Sequence, residues 1–79
     1  MAYIVSLSPL DPLEGRRPHS RSDCTWRVSS RDGEQVLQLD TYGSPERKDV
    51  GTISQSIQLD EERAAELVAI IRSVFPGVR

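Results

Sequence analysis

The stretch CTWRVSSRDGEQVLQLDTY, residues 24–42, predicts a β-hairpin around which the other elements can be placed. Asp32 and Gly33 stand between two runs of alternating polar and apolar residues. Asp-Gly favours a type I′ turn, because both central residues of that turn need positive φ. With this pair in the turn, Ser30 lies opposite Gln35, and the rest of the register follows.

This register sorts the hairpin side chains onto two faces. One face pairs Trp26 with Leu39 and Val28 with Leu37, and we expect it to pack in the core with the Cys24 thiol buried beside it. The other face is polar. It carries Thr25, Arg27, Gln38, Asp40 and Tyr42.

The segments around the hairpin complete a sheet. Residues 2–7, AYIVSL, form a β-rich run that predicts a strand. Residues 8–23 contain three prolines and three arginines, which predicts a mobile basic loop. Residues 43–51 predict a second loop, and the alternation in residues 52–59 predicts the last strand.

Residues 60–75 predict a helix with Asp60 as its N-cap, because acidic residues follow in the first turn. Its apolar stripe is wider than the roughly 100° needed to cover one sheet. We therefore expect the stripe to contact a second copy of the chain as well. The predicted dimer interface consists of Leu67, Ile70, Ile71 and Val74.

The sequence as a whole thus predicts one α+β domain over residues 1–79, a four-stranded antiparallel sheet followed by one C-terminal helix (β-β-β-β-α). Only 37% of the 79 residues are apolar and four are aromatic, so the core is thin and a homodimer would enlarge it. One cysteine excludes a disulfide within the chain and indicates a reducing cytoplasm. No signal peptide or membrane span is predicted.

The polar face indicates a binding function. An exposed aromatic ring beside cationic residues is typical of single-strand binders, in which bases stack on the ring and cations follow the phosphates. Tyr42 would stack, and Arg27, Arg47 and Lys48 would meet phosphate. Hydrogen-bonding neighbours on the same face would be Gln38, Ser54, Ser56 and Gln58. The alternative is that Tyr42 packs against its neighbours at a sheet edge and the loop meets only water.

The early loop offers a second cationic element. Arg16, Arg17 and Arg21 could form a basic arm that adds salt-dependent attraction to phosphate. The alternative is a solvated segment with no ligand. The net charge of −2 is not that of a typical nucleic-acid binder.

No reaction chemistry is indicated. Glu46 and Lys48 form a Glu-x-Lys pair, but they stand in a loop, whereas metal-dependent nucleases need such a pair on a rigid strand. His19 has no second metal ligand nearby in the sequence. The sequence therefore predicts a non-catalytic protein without cofactor or metal.

The segment QLDTYGSPERKDVGTISQSIQLDEERAAELVAII resembles the single-stranded-DNA-binding transcriptional coactivators called positive cofactor four, especially their small bacterial counterparts. Tyr42 stands at the family's strand aromatic, Gly51 at its first loop glycine, and Asp60 in its acidic helix opening. The resemblance implies a curved four-stranded sheet, a dimerising helix and non-specific binding of single-stranded DNA. Asp40 and Thr52 stand where the family has arginine and lysine.

Two functions follow from these observations. The first is a homodimeric single-stranded nucleic-acid binder, with DNA or RNA as ligand. The second is a small dimeric protein-interaction module or accessory subunit, whose polar face binds protein or nothing. Asp40 and the acidic total charge favour the second function.

Overall fold

The structure, a computed structural model, describes residues 1–15, 17–43 and 51–79. The predictions for Arg16 and for residues 44–50 therefore lie outside the described residues. The elements are β1 (Ala2–Tyr3), β2 (Cys24–Arg31), β3 (Glu34–Thr41), β4 (Gln55–Leu59) and α1 (Glu61–Val74).

The hairpin of β2 and β3 has the predicted register. Trp26 lies opposite Leu39, and Val28 lies opposite Leu37, in an antiparallel pairing without a bulge. Asp32 and Gly33 both have positive φ, 49° and 82°, as a type I′ turn requires. The Asp-Gly pair thus sets the side-chain alternation of both strands.

The sheet has the strand order β1-β4-β3-β2 and is mixed. β3 and β4 pair antiparallel, whereas β1 pairs parallel with β4, Ala2 lying opposite Ile57. The prediction of a fully antiparallel sheet is therefore wrong for β1. Residues 4–23 are long enough to carry the chain from β1 at one edge to β2 at the other, so β1 need not neighbour β2.

The helix begins where the sequence predicted. The Asp60 Oδ1 atom accepts a hydrogen bond from the Arg63 backbone N–H at 2.7 Å, which satisfies an otherwise unpaired donor of the first turn. The Phe75 N–H donates to the Ile71 carbonyl at 2.8 Å and ends the helix before Pro76. Across the described residues, no helix is both long and apolar enough to cross a bilayer.

The fully buried apolar core of the described residues is small. It consists of Val36 and Leu59, which are 2% and 3% exposed. No residue of α1 is buried, and the helix contacts the sheet mainly at β4. Trp26 is 69% exposed, so the expectation that it packs in the core is wrong. Its strand, β2, lies at the edge two strands away from β4.

Candidate binding surfaces

The polar face of the sheet is built from two neighbouring rows of paired residues. One row runs Arg27, Gln38, Gln58 across β2, β3 and β4, and the next runs Thr25, Asp40, Ser56. The structure thus brings together four of the predicted polar site residues: Arg27, Gln38, Ser56 and Gln58. Ser54 is exposed and precedes β4.

A buried carboxylate lies at the centre of this face. Asp40 has no exposed surface, and the Gln38 amide donates to both of its oxygens at 3.1 and 3.3 Å. The Arg27 guanidinium lies 3.5 Å from the same carboxylate. The Gln58 amide in turn donates to Gln38 Oε1 at 2.8 Å. The polar groups in the middle of the face are therefore bonded to one another.

Asp40 is ionised at neutral pH. A hydrogen bond from the Ser56 hydroxyl holds the pKa of the Asp40 carboxyl below its ordinary value of 3.8. Burial acts in the opposite direction, while the Gln38 amide and the Arg27 charge add to the lowering of the pKa. A fixed negative charge thus lies beneath the face, and Arg27 offsets it rather than standing alone as a cation.

Tyr42 is half-buried at one end of the polar face. Its hydroxyl lies 2.6 Å from Thr25 Oγ1, and its backbone N–H donates to Ser22 Oγ at 3.2 Å. The second bond brings the end of the early loop beside Tyr42, with Arg21 one residue before the contact and Arg17 exposed farther along. Three other predicted phosphate ligands lie outside the described residues: Arg16, Arg47 and Lys48.

A bridge that the sequence did not predict closes the other end of this face. The Arg31 guanidinium carbon lies 4.1 Å from the centre of the Tyr3 ring, a cation–π geometry. The Tyr3 hydroxyl donates to Asp60 Oδ2 at 3.3 Å. Since β1 and β2 are opposite edges of the sheet, this pair spans β4 and β3 near buried Val36. Finding the bridge from sequence would have required knowing where β1 lies.

Among the described residues, two groups of apolar side chains form exposed surfaces. The strand surface consists of Trp26 and Val28 on edge strand β2, which are 69% and 60% exposed. The helix surface lies on the last two turns of α1, where every residue is exposed. It consists of Val68, Ile70, Ile71, Val74 and Phe75. Of the predicted dimer residues, Leu67 alone is half-buried.

A cleft of about 700 Å³ separates the hairpin end of the sheet from the first turns of α1. Its apolar lining includes Val28, Val36, Leu37, Leu59 and Ala64. Its acidic lining consists of Glu34, Asp60, Glu61 and Glu62. The carboxylates give this end of the molecule a charge that disfavours phosphate.

Neither a buried thiol nor a metal-binding cluster is found among the described residues. Cys24 is exposed, and among the described residues no group of three His, Cys, Asp or Glu side chains is placed to hold a metal ion. The predicted burial of the Cys24 thiol is therefore wrong, because the strand that carries it is an open edge.

The chain matches no protein-family model, no curated protein and no solved structure. The resemblance to the positive-cofactor-four coactivators therefore stays a prediction. The observed order of four strands and one helix is what that resemblance implies, but the parallel placement of β1 departs from the antiparallel sheet that we predicted.

Proposed function

We propose that the protein is a small, non-catalytic protein-interaction module that acts as a homodimer and as an accessory subunit of a larger assembly. The observation that carries this proposal is the helix surface, since the last two turns of α1 project from the sheet with all their apolar side chains exposed. The single cysteine supports a cytoplasmic setting.

The helix surface needs a partner for a physical reason. Helices shorter than about 12–15 residues are marginal in water, and most helical stability in proteins comes from packing of an apolar face. In α1 the first half has half-buried side chains, such as Ala64 and Leu67, whereas Val74 and Phe75 are 61% and 60% exposed. A partner that covers this surface gains about 25 cal/mol for each Å² of apolar area removed from water.

The polar face supports the same proposal. Its central carboxylate, Asp40, is ionised, accepts from Gln38 and lies 3.5 Å from Arg27, so a negative charge at the centre of the face partly offsets its exposed cation. The acidic cleft lies at one end of the same sheet. The electrostatics of the described residues thus favour a protein partner over a polyanion.

The test is stoichiometric co-purification from the native host, comparing two single variants of the helix. Val74→Glu places a carboxylate on the helix surface, and Ser73→Glu places the same charge one residue away. We expect Val74→Glu to lose the partner and Ser73→Glu to retain it, with both variants folded because both residues are exposed. Retention of every partner by Val74→Glu would remove the proposal.

The position of Tyr42 favours a second function, the binding of single-stranded nucleic acid. Its hydroxyl contacts Thr25 and its backbone N–H donates to Ser22, so the residue lies beside the end of the early loop, close in sequence to Arg21. A ring held in this way can stack a base for about 1–3 kcal/mol. Arg27 and Arg17 are exposed cations that could meet phosphate.

Fluorescence anisotropy of a labelled oligo-dT tests this second function. Binding should weaken steeply with salt and should fall by about 5- to 150-fold in Tyr42→Ala, which loses the stacking energy. Tyr42→Phe is the matched control, because it keeps the ring and removes only the hydroxyl bonded to Thr25. A flat anisotropy signal at low salt would exclude nucleic-acid binding and leave the interaction module.

A further inference from the structure

Strand β2 is an open edge of the sheet. It is eight residues long, it pairs with β3 along its whole length, and in the described residues no strand lies on its other side. It contains neither proline nor glycine. Such a long, regular and exposed edge is a template for pairing with another strand.

The charged residues that could guard this edge are turned toward their own sheet. Charged side chains on edge strands commonly prevent pairing with other chains. Here the Arg27 guanidinium lies 3.5 Å from Asp40 on the neighbouring strand, and the Arg31 guanidinium lies over the Tyr3 ring across the polar face. The exposed large apolar side chains of this edge are Trp26 and Val28, on the face opposite the two arginines.

The hairpin geometry shows which backbone groups of β2 point outward. In a two-residue hairpin the pair flanking the turn, here Arg31 and Glu34, exchanges both hydrogen bonds, and such pairs alternate along the ladder. The odd-numbered residues of β2 therefore bond to β3. The outward N–H and C=O groups belong to Cys24, Trp26, Val28 and Ser30.

We propose that two copies of the chain pair antiparallel through their β2 edges, with Trp26 on the two-fold axis. The two sheets then form one sheet of eight strands. This inference rests on the proposed homodimer and gives it an interface different from the predicted helix one. Trp26 lies opposite the second copy's Trp26, and Val28 lies opposite its Cys24.

This register is the one in which the side chains match. Every apolar residue faces an apolar residue, and Arg27 faces Thr25 of the second copy, which is uncharged. A shift by one residue in each copy would put Arg27 opposite Arg27, and like charges directly opposite destabilise a sheet. A further shift would put Trp26 opposite Ser30 and leave the indole without an apolar neighbour.

The interface is small, because this register pairs only residues 24–28 of one β2 strand with residues 24–28 of the other. Interfaces below about 1,200 Å² are typical of weak association. We therefore expect a dimer that dissociates on dilution.

Disulfide trapping tests the register, with native Cys24 as one partner. In Val28→Cys, the new thiol should face Cys24 of the second copy at a Cα distance of about 5.5 Å, which a disulfide can span. Within one chain, residues 24 and 28 are about 13 Å apart along the strand, too far for a bond. Mild oxidation should therefore yield covalent dimers on non-reducing gels.

Ser30→Cys and the wild-type chain are the controls for this experiment. In the proposed register neither brings two thiols together, so both should give several-fold less covalent dimer than Val28→Cys. Equal or greater cross-linking of Ser30→Cys, or none in Val28→Cys, would overturn the inference.

A pair of lysine variants separates the two apolar surfaces. Trp26→Lys should weaken self-association by at least about tenfold. Light scattering across a dilution series measures this change. Val74→Lys, the same charge on the helix surface, should leave self-association unchanged. The opposite result would place the dimer at the helix and overturn the β2 interface. A wild-type chain that stays monomeric at all concentrations would contradict the proposed homodimer itself.

Discussion

Asp40 and Trp26 lie on neighbouring strands and on opposite faces of the sheet, and their exposures are the reverse of what their chemistry suggests. The carboxylate is wholly buried and the indole is 69% exposed. Charged side chains are almost never fully buried unless they are paired, and Asp40 is paired with Arg27 and hydrogen-bonded by Gln38. The polar face is thus satisfied within one chain, whereas the apolar surface is not.

The two regions therefore differ in how much they would gain from association. Each polar group near Asp40 has a partner in the same chain, so this region should be stable by itself. The strand surface and the helix surface leave large apolar areas in water, which association can remove.

Two valines provide a matched pair. Val36→Ala, on the polar face where the side chain is 2% exposed, should lower the free energy of unfolding by about 1.5–3 kcal/mol through lost burial and a cavity. Val28→Ala, on the strand surface, should change it by less than about 0.5 kcal/mol in the monomer. Urea denaturation at low protein concentration measures both values. Equal losses would mean that the strand surface is already covered within one chain.

Asp40→Asn tests the paired carboxylate through pH. The folded-state pKa of Asp40 is below the ordinary 3.8, so its ionised form stabilises the fold fully above that value. This stabilisation is lost as pH falls through the lower folded pKa. The stability difference between wild type and Asp40→Asn should therefore be constant near neutral pH and shrink in strong acid. A difference that does not depend on pH would contradict the ionised, paired state.

A double-mutant cycle on Tyr3 and Arg31 tests the bridge across the polar face. Tyr3→Leu and Arg31→Gln should show a coupling of about 0.5–1 kcal/mol in unfolding free energy, the value of a solvent-accessible cation–π pair. Arg31→Lys should retain part of the coupling, because it keeps the cation. Additive effects would show that the two edges of the sheet are energetically independent.

Trp26→Thr should have the smallest effect on the single chain. The residue is exposed and threonine suits a strand, so the free energy of unfolding should stay within about 0.5 kcal/mol at low concentration. Thermal unfolding at increasing protein concentrations should then distinguish the wild type from the variant, because only the wild type should gain stability by association. A large loss in the dilute variant would place the indole in the fold of one chain.

The hairpin and the helix start could be predicted because local chemistry determines them. Asp32 and Gly33 set the register of two strands, and Asp60 accepts the bond that begins the helix. The direction of β1 could not be predicted. Alternation along a short strand carries no direction, and residues 4–23 leave the chain free to return at either edge.

The sequence also could not predict which side chains of each sheet face are exposed and which are buried. Periodicity placed Trp26 on the apolar face, but it does not show what covers that face. Asp40 alternates with Gln38, a pattern typical of a solvated strand, and the hydroxyl that bonds its carboxylate belongs to Ser56, 16 residues later in the chain. In the hairpin register Asp40 lies opposite Thr25, which is uncharged, so the sequence did not indicate that the carboxylate would be paired with Arg27.

The parallel pairing of β1 also bears on the order of folding. The hairpin contacts are local, and hairpins form in about 1–10 μs. The pairing of Ala2 with Ile57 closes a loop of more than fifty residues, and such distant contacts form late because their entropy cost comes first. During synthesis β1 leaves the ribosome well before β4 exists, so it waits unpaired. Of the four strands, β1 is therefore the first to be synthesised and the last to join the sheet.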